Sequence, residues 1–201
     1  GKPHDHLWMN TTSPTLMYEE LRKAYDMTAD RIWLLNAGDI KACEFAVDFF
    51  LSMAYDIDSF NFDRAAAYRT AWLCGMLGDE YRNEYPDVPN SFYKLAFARR
   101  PEFMGWGYQW ATDKHGRERN TDTDFSLTNY REVDSRLSEY RRIGSITEEI
   151  LNKLPEEKKA CFYQSMYYTV KGCELLNRLI LDGQRNSWYS IQQRAATGEL
   201  E

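Results

Sequence analysis

Ile32-Trp-Leu-Leu35 is a short, uninterrupted apolar run, bounded by Arg31 on one side and by Asn36-Ala-Gly-Asp39 on the other. A run of this length without alternation suits a strand buried on both faces, as in a parallel sheet. Asn36 and Asp39 then stand at its carboxyl end. In α/β folds that end binds ligands, because a rigid sheet holds the loops and the following helix points its N-terminal dipole toward them. No second convincing strand occurs in the 201 residues. A parallel strand needs hydrogen-bonding neighbours on both edges, so a lone one implies that its partners belong to a larger protein.

The remainder reads as helix. Ser13-Pro14 has the chemistry of an N-cap and first helical residue, and Met17, Leu21, Ala24 and Thr28 share one face of a helix reaching about Met27. Helix, strand, polar loop and helix follow in that order, the grammar of a βα repeat with the helix before it. Ile40 to Tyr55 is apolar almost all round, which predicts a helix buried between layers. Asp56-Ile-Asp-Ser59 breaks it, and the pattern then changes to long heptad-like faces without strand character. A domain boundary is therefore placed at residue 58, dividing the chain into 1–58 and 59–201.

Beyond it, Ala65, Ala66, Arg69, Leu73, Met76, Leu77 and Glu80 trace a stripe on a helix expected to reach Tyr85, with Gly75 and Gly78 weakening it or admitting a close neighbour. Pro86 and Pro89 punctuate the chain before a helix from Ser91 to Arg99, stopped by Pro101. Residues 105–124 lack periodicity and form the longest expected loop. Two long helices follow, one through Leu127, Tyr130, Val133, Leu137 and Tyr140, the other through Phe162, Met166, Val170, Cys173, Leu176 and Ile180. Between them Ser145-Ile-Thr-Glu148 reads as the capping box of a short helix ended by Leu154-Pro155, and Gly183 is expected to interrupt the last helix.

Composition removes several function classes. The net charge of -6 and isoelectric point near 5.2 argue against a nucleic-acid surface, which is normally basic. Arg99-Arg100 and Arg141-Arg142 read as solvated helix faces. No apolar run approaches the ~20 residues that span a bilayer. The N-terminal residues do not have the pattern of a signal peptide. Cys43, Cys74, Cys161 and Cys173 are too dispersed for zinc or a disulfide scaffold. His4, Asp5 and His6 lack the spacing of metal ligands and read equally well as loop residues bonding backbone, with His115 distant in sequence. No metal or cofactor is expected, and no phosphate-loop, dinucleotide or nucleophile-elbow motif occurs. Asn36, Asp39, Lys41 and Glu44 form the best polar group: an amide, two carboxylates and an ammonium that suit a polyhydroxylated or acidic substrate. The same residues also read as a turn amide, a helix cap and solvated charges, and residue chemistry alone does not separate the two.

Pro3-His-Asp-His-Leu-Trp8, the Thr-Ser-Pro with Glu19-Glu20, Ala24-Tyr25, Arg31-Ile-Trp-Leu-Leu-Asn-Ala-Gly-Asp-Ile-Lys41 with Glu44, and Phe49-Phe-Leu51 together resemble glycoside hydrolase family 115, the xylan α-glucuronidases. Ala98-Arg-Arg-Pro-Glu102 and Phe125-Ser-Leu-Thr-Asn-Tyr-Arg-Glu132 resemble that family's helical domain. The sequence departs from the commoner pattern at Ala37, where valine is usual, and at Ala42, where proline is usual.

The resemblance implies a mainly α chain: a helical bundle preceded by the terminal βα portion of a truncated TIM-like (β/α)8 barrel. It implies that the catalytic carboxylates lie upstream, so no catalytic residue is expected here, and that Asn36 binds substrate; Asp39 and Lys41 match the motif and are grouped with it. The implied activity is inverting removal of α-1,2-linked glucuronic acid or its 4-O-methyl ether from glucuronoxylan or a related polysaccharide. The parent is expected to be periplasmic or extracellular and a homodimer through its helical domain. Two other readings remain open: a self-contained helical interaction module, in which Ile32–Leu35 is helical or buried against helices, and a carbohydrate-binding module using Trp106, Tyr108 and Trp110.

Overall fold

The computed structural model describes residues 7–37, 40–84, 86–105 and 122–194, which are mainly helical. Their order is α1 (Pro14–Asp26), α2 (Glu44–Tyr55), α3 (Phe62–Leu77), α4 (Asp87–Ala98), α5 (Glu132–Lys153), α6 (Glu156–Phe162), a π turn (Tyr163–Tyr167) and α7 (Tyr168–Ile191). Local chemistry sets many of the ends. The Ser13 hydroxyl accepts from the Leu16 N–H at 3.2 Å with Pro14 in the first turn. The Asn61 side chain caps α3 by accepting from Arg64 N at 2.8 Å. Pro89 does not precede α4 but sits in its first turn, where a missing N–H costs nothing.

Several expectations are revised. Helix α3 stops at Leu77, well before Tyr85, because Gly78 adopts φ 102°, a conformation that L side chains rarely take. Gly75 admits no close neighbour, and Gly183 does not interrupt α7. The box Ser145–Glu148 caps nothing, since α5 runs through it. Ile143, Thr147 and Ile150 all face the interior there, and the Thr147 hydroxyl returns to the Ile143 and Gly144 carbonyls at 3.1 and 2.8 Å. Continuous burial outweighs a local capping signature. On α2, Phe45, Phe49, Phe50 and Met53 are buried, but Leu51 and Tyr55 are 56% and 93% exposed, so one side is uncovered.

The principal core gathers Leu73 and Leu77 of α3, Val88 and Phe92 of α4, Tyr140, Ile143 and Ile150 of α5, and Phe162, Val170 and Cys173 beyond. A second cluster joins Phe45, Phe49 and Met53 of α2 to Phe60 and Ala65, with Tyr25 and Trp33 packed on its edge. Thus α1, α2 and α3 share one cluster across residue 58, and Trp72 touches both cores.

Arg69 lies between the two cores and is only 1% exposed. Its guanidinium stands 5.1 Å from the Phe45 ring, 5.9 Å from Phe92 and 5.3 Å from Tyr93. It donates to the Tyr93 hydroxyl and, at 2.9 Å, to the Ser165 carbonyl inside the π turn. A second buried cation, Arg136, donates to Asn177 at 2.6 Å and to the Leu95 and Arg99 carbonyls at 3.0 and 2.7 Å, tying α4 and α5 to α7. Burial lowers its basicity.

Residues 7–13 are fastened to the bundle. Met9 is buried in the principal core, Thr11 bonds the buried Glu102 carboxylate, and Thr12 accepts from Arg100 at 3.3 Å. The Trp8 ring lies so close to Gly172 that a Cβ there would stand 2.5 Å from it. Among the described residues no helix is long and apolar enough to cross a membrane.

Two stability outcomes follow from these contacts. Arg69→Ala is expected to lower unfolding stability by about 3 kcal/mol, from lost ring contacts and two polar partners left in the interior. Arg69→Met, which refills the volume without a charge, should cost less than half of that in urea titrations. Gly172→Ala should cost about 1 to 3 kcal/mol through overpacking against Trp8, and a simultaneous Trp8→Leu should return most of it.

Candidate functional site

Helix α1 ends with Met27 N bonding the Lys23 and Ala24 carbonyls, and Thr28 turns the chain at φ 77°. From Arg31 to Ala37 the backbone then runs without regular structure or backbone pairing among the described residues. The expected strand is therefore not formed: no strand occurs among the described residues, because none of them offers a ladder edge to Ile32–Leu35. The run is not helical either, and it is not covered as the interaction-module reading requires.

Exposure along it alternates. Ile32 and Leu34 are 86% and 89% exposed, Trp33 is half-buried and Leu35 is 38% exposed. Alternation of this kind is what an extended chain would give: Trp33 packs toward the helices, while Ile32, Leu34 and Asn36 are exposed. Trp33 is held by three contacts. Its indole N–H donates to the Ala29 carbonyl at 2.6 Å. Its ring meets Phe50 of α2 at 5.6 Å and the edge of Tyr25 of α1 at 6.5 Å.

Of the polar group expected at the run's end, Asn36 is exposed and makes no side-chain hydrogen bond among the described residues. Lys41 is exposed in the turn before α2, with its ammonium 4.0 Å from the Glu44 carboxylate. Glu44 opens α2, where a negative charge is favoured by the helix dipole. No bond joins Asn36 to Lys41, so the described residues do not assemble these groups into one closed site. Asp39 lies outside the described residues, as do His4, Asp5, His6, Trp106, Tyr108, Trp110 and His115.

Among the described residues no cluster of three or more His, Cys, Asp or Glu side chains could hold a metal ion. Two surface clefts, of about 390 and 430 Å³, lie elsewhere: one between α1, α3 and α4, the other around Tyr55 and Arg64. Neither includes Asn36 or Lys41. What the open face offers is an amide able to donate and accept toward hydroxyls and a cation able to attract a carboxylate. Sequence reasoning missed Trp33 as an anchor; lying in an apolar run, it gave no signal apart from core packing.

The four cysteines form no disulfide. Cys74 and Cys173 are buried, and desolvation raises both thiols above the usual range. Cys161 is exposed, beside the Met76 sulfur at 3.7 Å.

Comparison with known proteins supplies the context. The description of Glycosyl hydrolase family 115 matches residues 1–103. A solved structure of a family GH115 4-O-methyl-α-glucuronidase, with specificity for decorated arabinogalactans, is 31% identical and superposes with a TM-score of 0.76. The match covers 90% of this chain and 24% of that one, so the chain spans about a quarter of that protein's length. No curated protein matches the sequence.

Ala42 occupies the left-handed region with φ 66°, in the turn where Cys43 N bonds the Ile40 carbonyl at 2.9 Å. Ala42→Gly should stabilise the fold by about 1 kcal/mol, the usual cost of a side chain in that conformation. Ala42→Pro, whose ring fixes φ near -65°, should instead lower the melting temperature.

Proposed function

The chain belongs to glycosyl hydrolase family 115, and from that membership we propose that it is the part of an α-glucuronidase linking a catalytic (β/α)8 barrel to a helical bundle. In this reading residues 1–58 derive from the end of the barrel and residues 59–201 form the bundle. The boundary marks two origins, not two separate cores.

The observation that carries the reading is the uncovered run from Ile32 to Asn36. Two nearly fully exposed aliphatic side chains on an extended backbone are costly in water, at about 1.5 to 3 kcal/mol of burial energy forgone per side chain. They become favourable once neighbouring strands pair with the run and pack on its open side. In a closed parallel barrel, Ile32 and Leu34 then point inward, and Asn36 lies at the carboxyl end where substrates bind.

The proposed reaction is hydrolysis of α-1,2-linked glucuronic acid, or its 4-O-methyl ether, from a polysaccharide. Glucuronoxylan and decorated arabinogalactan are the two backbones to test, the second because the similar structure acts on it. Inversion requires one carboxylic acid to protonate the leaving oxygen and one carboxylate to activate water on the opposite face of the sugar. The reading assigns both groups to the remainder of the barrel. Asn36 orients sugar hydroxyls and Lys41 attracts the sugar carboxylate, while Asp39 is grouped with them through the motif alone. Secretion to the periplasm or medium and homodimerisation through the bundle belong to the same proposal.

Release of glucuronic acid by the longer protein tests it. The longer protein should be active on at least one of the two polysaccharides, and this chain alone should be inactive. Asn36→Ala should lower kcat/KM by about a hundredfold, the usual effect of losing a polar group aimed at the reacting sugar. Full activity of Asn36→Ala, or hydrolysis by the isolated chain, would overturn the assignment.

A further inference from the structure

We infer that Trp33 is a positioning residue that sets the register of the substrate-binding run and thereby decides which side of the chain Asn36 faces; this rests on the role proposed for Asn36. Among the described residues it is held from several directions, by the Ala29 carbonyl, the Phe50 ring and the Tyr25 ring. Those partners come from three places: the turn after α1, α2 and α1 itself. Phe50 is buried on α2, whose Phe45, Phe49 and Met53 belong to the second core, so the helix that carries the ring against the indole is held in place.

Asn36 lies three residues further on, about 10 Å along an extended chain. Because extended side chains alternate, a slip of one residue exchanges the two faces completely. With Trp33 docked, Ile32, Leu34 and Asn36 face away from the helices. With the run slipped by one, Asn36 faces α1 and α2, and its amide is withdrawn from any sugar on the open side. The indole resists that slip in two ways: its N–H has a particular carbonyl to reach, and its ring packs against both Tyr25 and Phe50.

Trp33 touches no substrate in this arrangement and acts through Asn36. A misplacement near 1 Å at a binding group can cost up to about a hundredfold in rate, so loss of the anchor should be visible in turnover.

The experiment is a double-mutant cycle on the longer glucuronidase, assayed on the polysaccharide that it hydrolyses, with circular dichroism showing that each variant is folded at the assay temperature. Trp33→Ala should lower kcat/KM by about tenfold or more. Trp33→Phe, which keeps a ring but loses the N–H, should recover most of it. In the Asn36→Ala background, Trp33→Ala should cause no further loss, because the group that it positions is already gone. Losses that multiply would show Trp33 to be structural only and overturn the inference, as would an unaffected Trp33→Ala enzyme. If Trp33→Ala does not fold, the same cycle with Trp33→Leu decides, since leucine keeps apolar bulk but loses both the ring and the N–H, and additivity is read in the same way. An Asn36→Ala enzyme with full activity would defeat the underlying role of Asn36, and this inference with it.

Discussion

The guanidinium of Arg69 is the joint on which this structure depends. A fully desolvated cation is costly by several kcal/mol unless its environment replaces water. Here the replacement comes from three aromatic faces within about 6 Å, the Tyr93 hydroxyl and the Ser165 carbonyl. Desolvated cation–π contacts can each contribute about 2 kcal/mol, so the arrangement is favourable only while all the rings stay in place. Phe45 belongs to α2, Phe92 and Tyr93 to α4, and Ser165 to the π turn. One side chain therefore requires four elements to hold their relative positions, and it connects the small core under α2 to the large core of the bundle.

That connection reaches the open face. Because α2 is pinned through Phe45, its Phe50 offers a fixed plane on which Trp33 rests, and Trp33 holds the extended run that ends in Asn36. On the opposite flank, Trp8 against Gly172 and Thr11 against Glu102 fasten residues 7–13 to the same bundle. Both segments leading toward the proposed barrel are thus moored to the helices. A rigid support under the amide proposed to bind substrate would lower the reorganisation needed on binding, the general advantage of placing functional groups on ordered elements.

Local signals in the sequence were readable where one residue decides the outcome. Ser13-Pro14 announced the start of α1, Pro101 the end of α4 and Leu154-Pro155 the end of α5, each through a cap or a missing N–H. Arg69 was legible as a stripe position on α3 but not as a buried cation, because its partners lie up to 96 residues away in sequence. Signals failed where packing overrides local preference, as at Ser145–Glu148 inside α5. Gly144 beside the Glu174 carboxylate and Gly172 beside Trp8 carry close approaches that sequence reading did not single out, while Gly75 and Gly183, which it did, carry none. The apolar run at Ile32 read as a strand buried on both faces; among the described residues no strand forms, and Ile32 and Leu34 stay exposed.

Backbone amide hydrogen exchange across residues 32–36, measured on this chain alone and on the longer protein, tests the account most directly. The account predicts rapid exchange in the isolated chain, where the run has no ladder partner, and strong protection in the longer protein, where strands pair on both edges. Protection already present in the isolated chain, or rapid exchange in both, would contradict it.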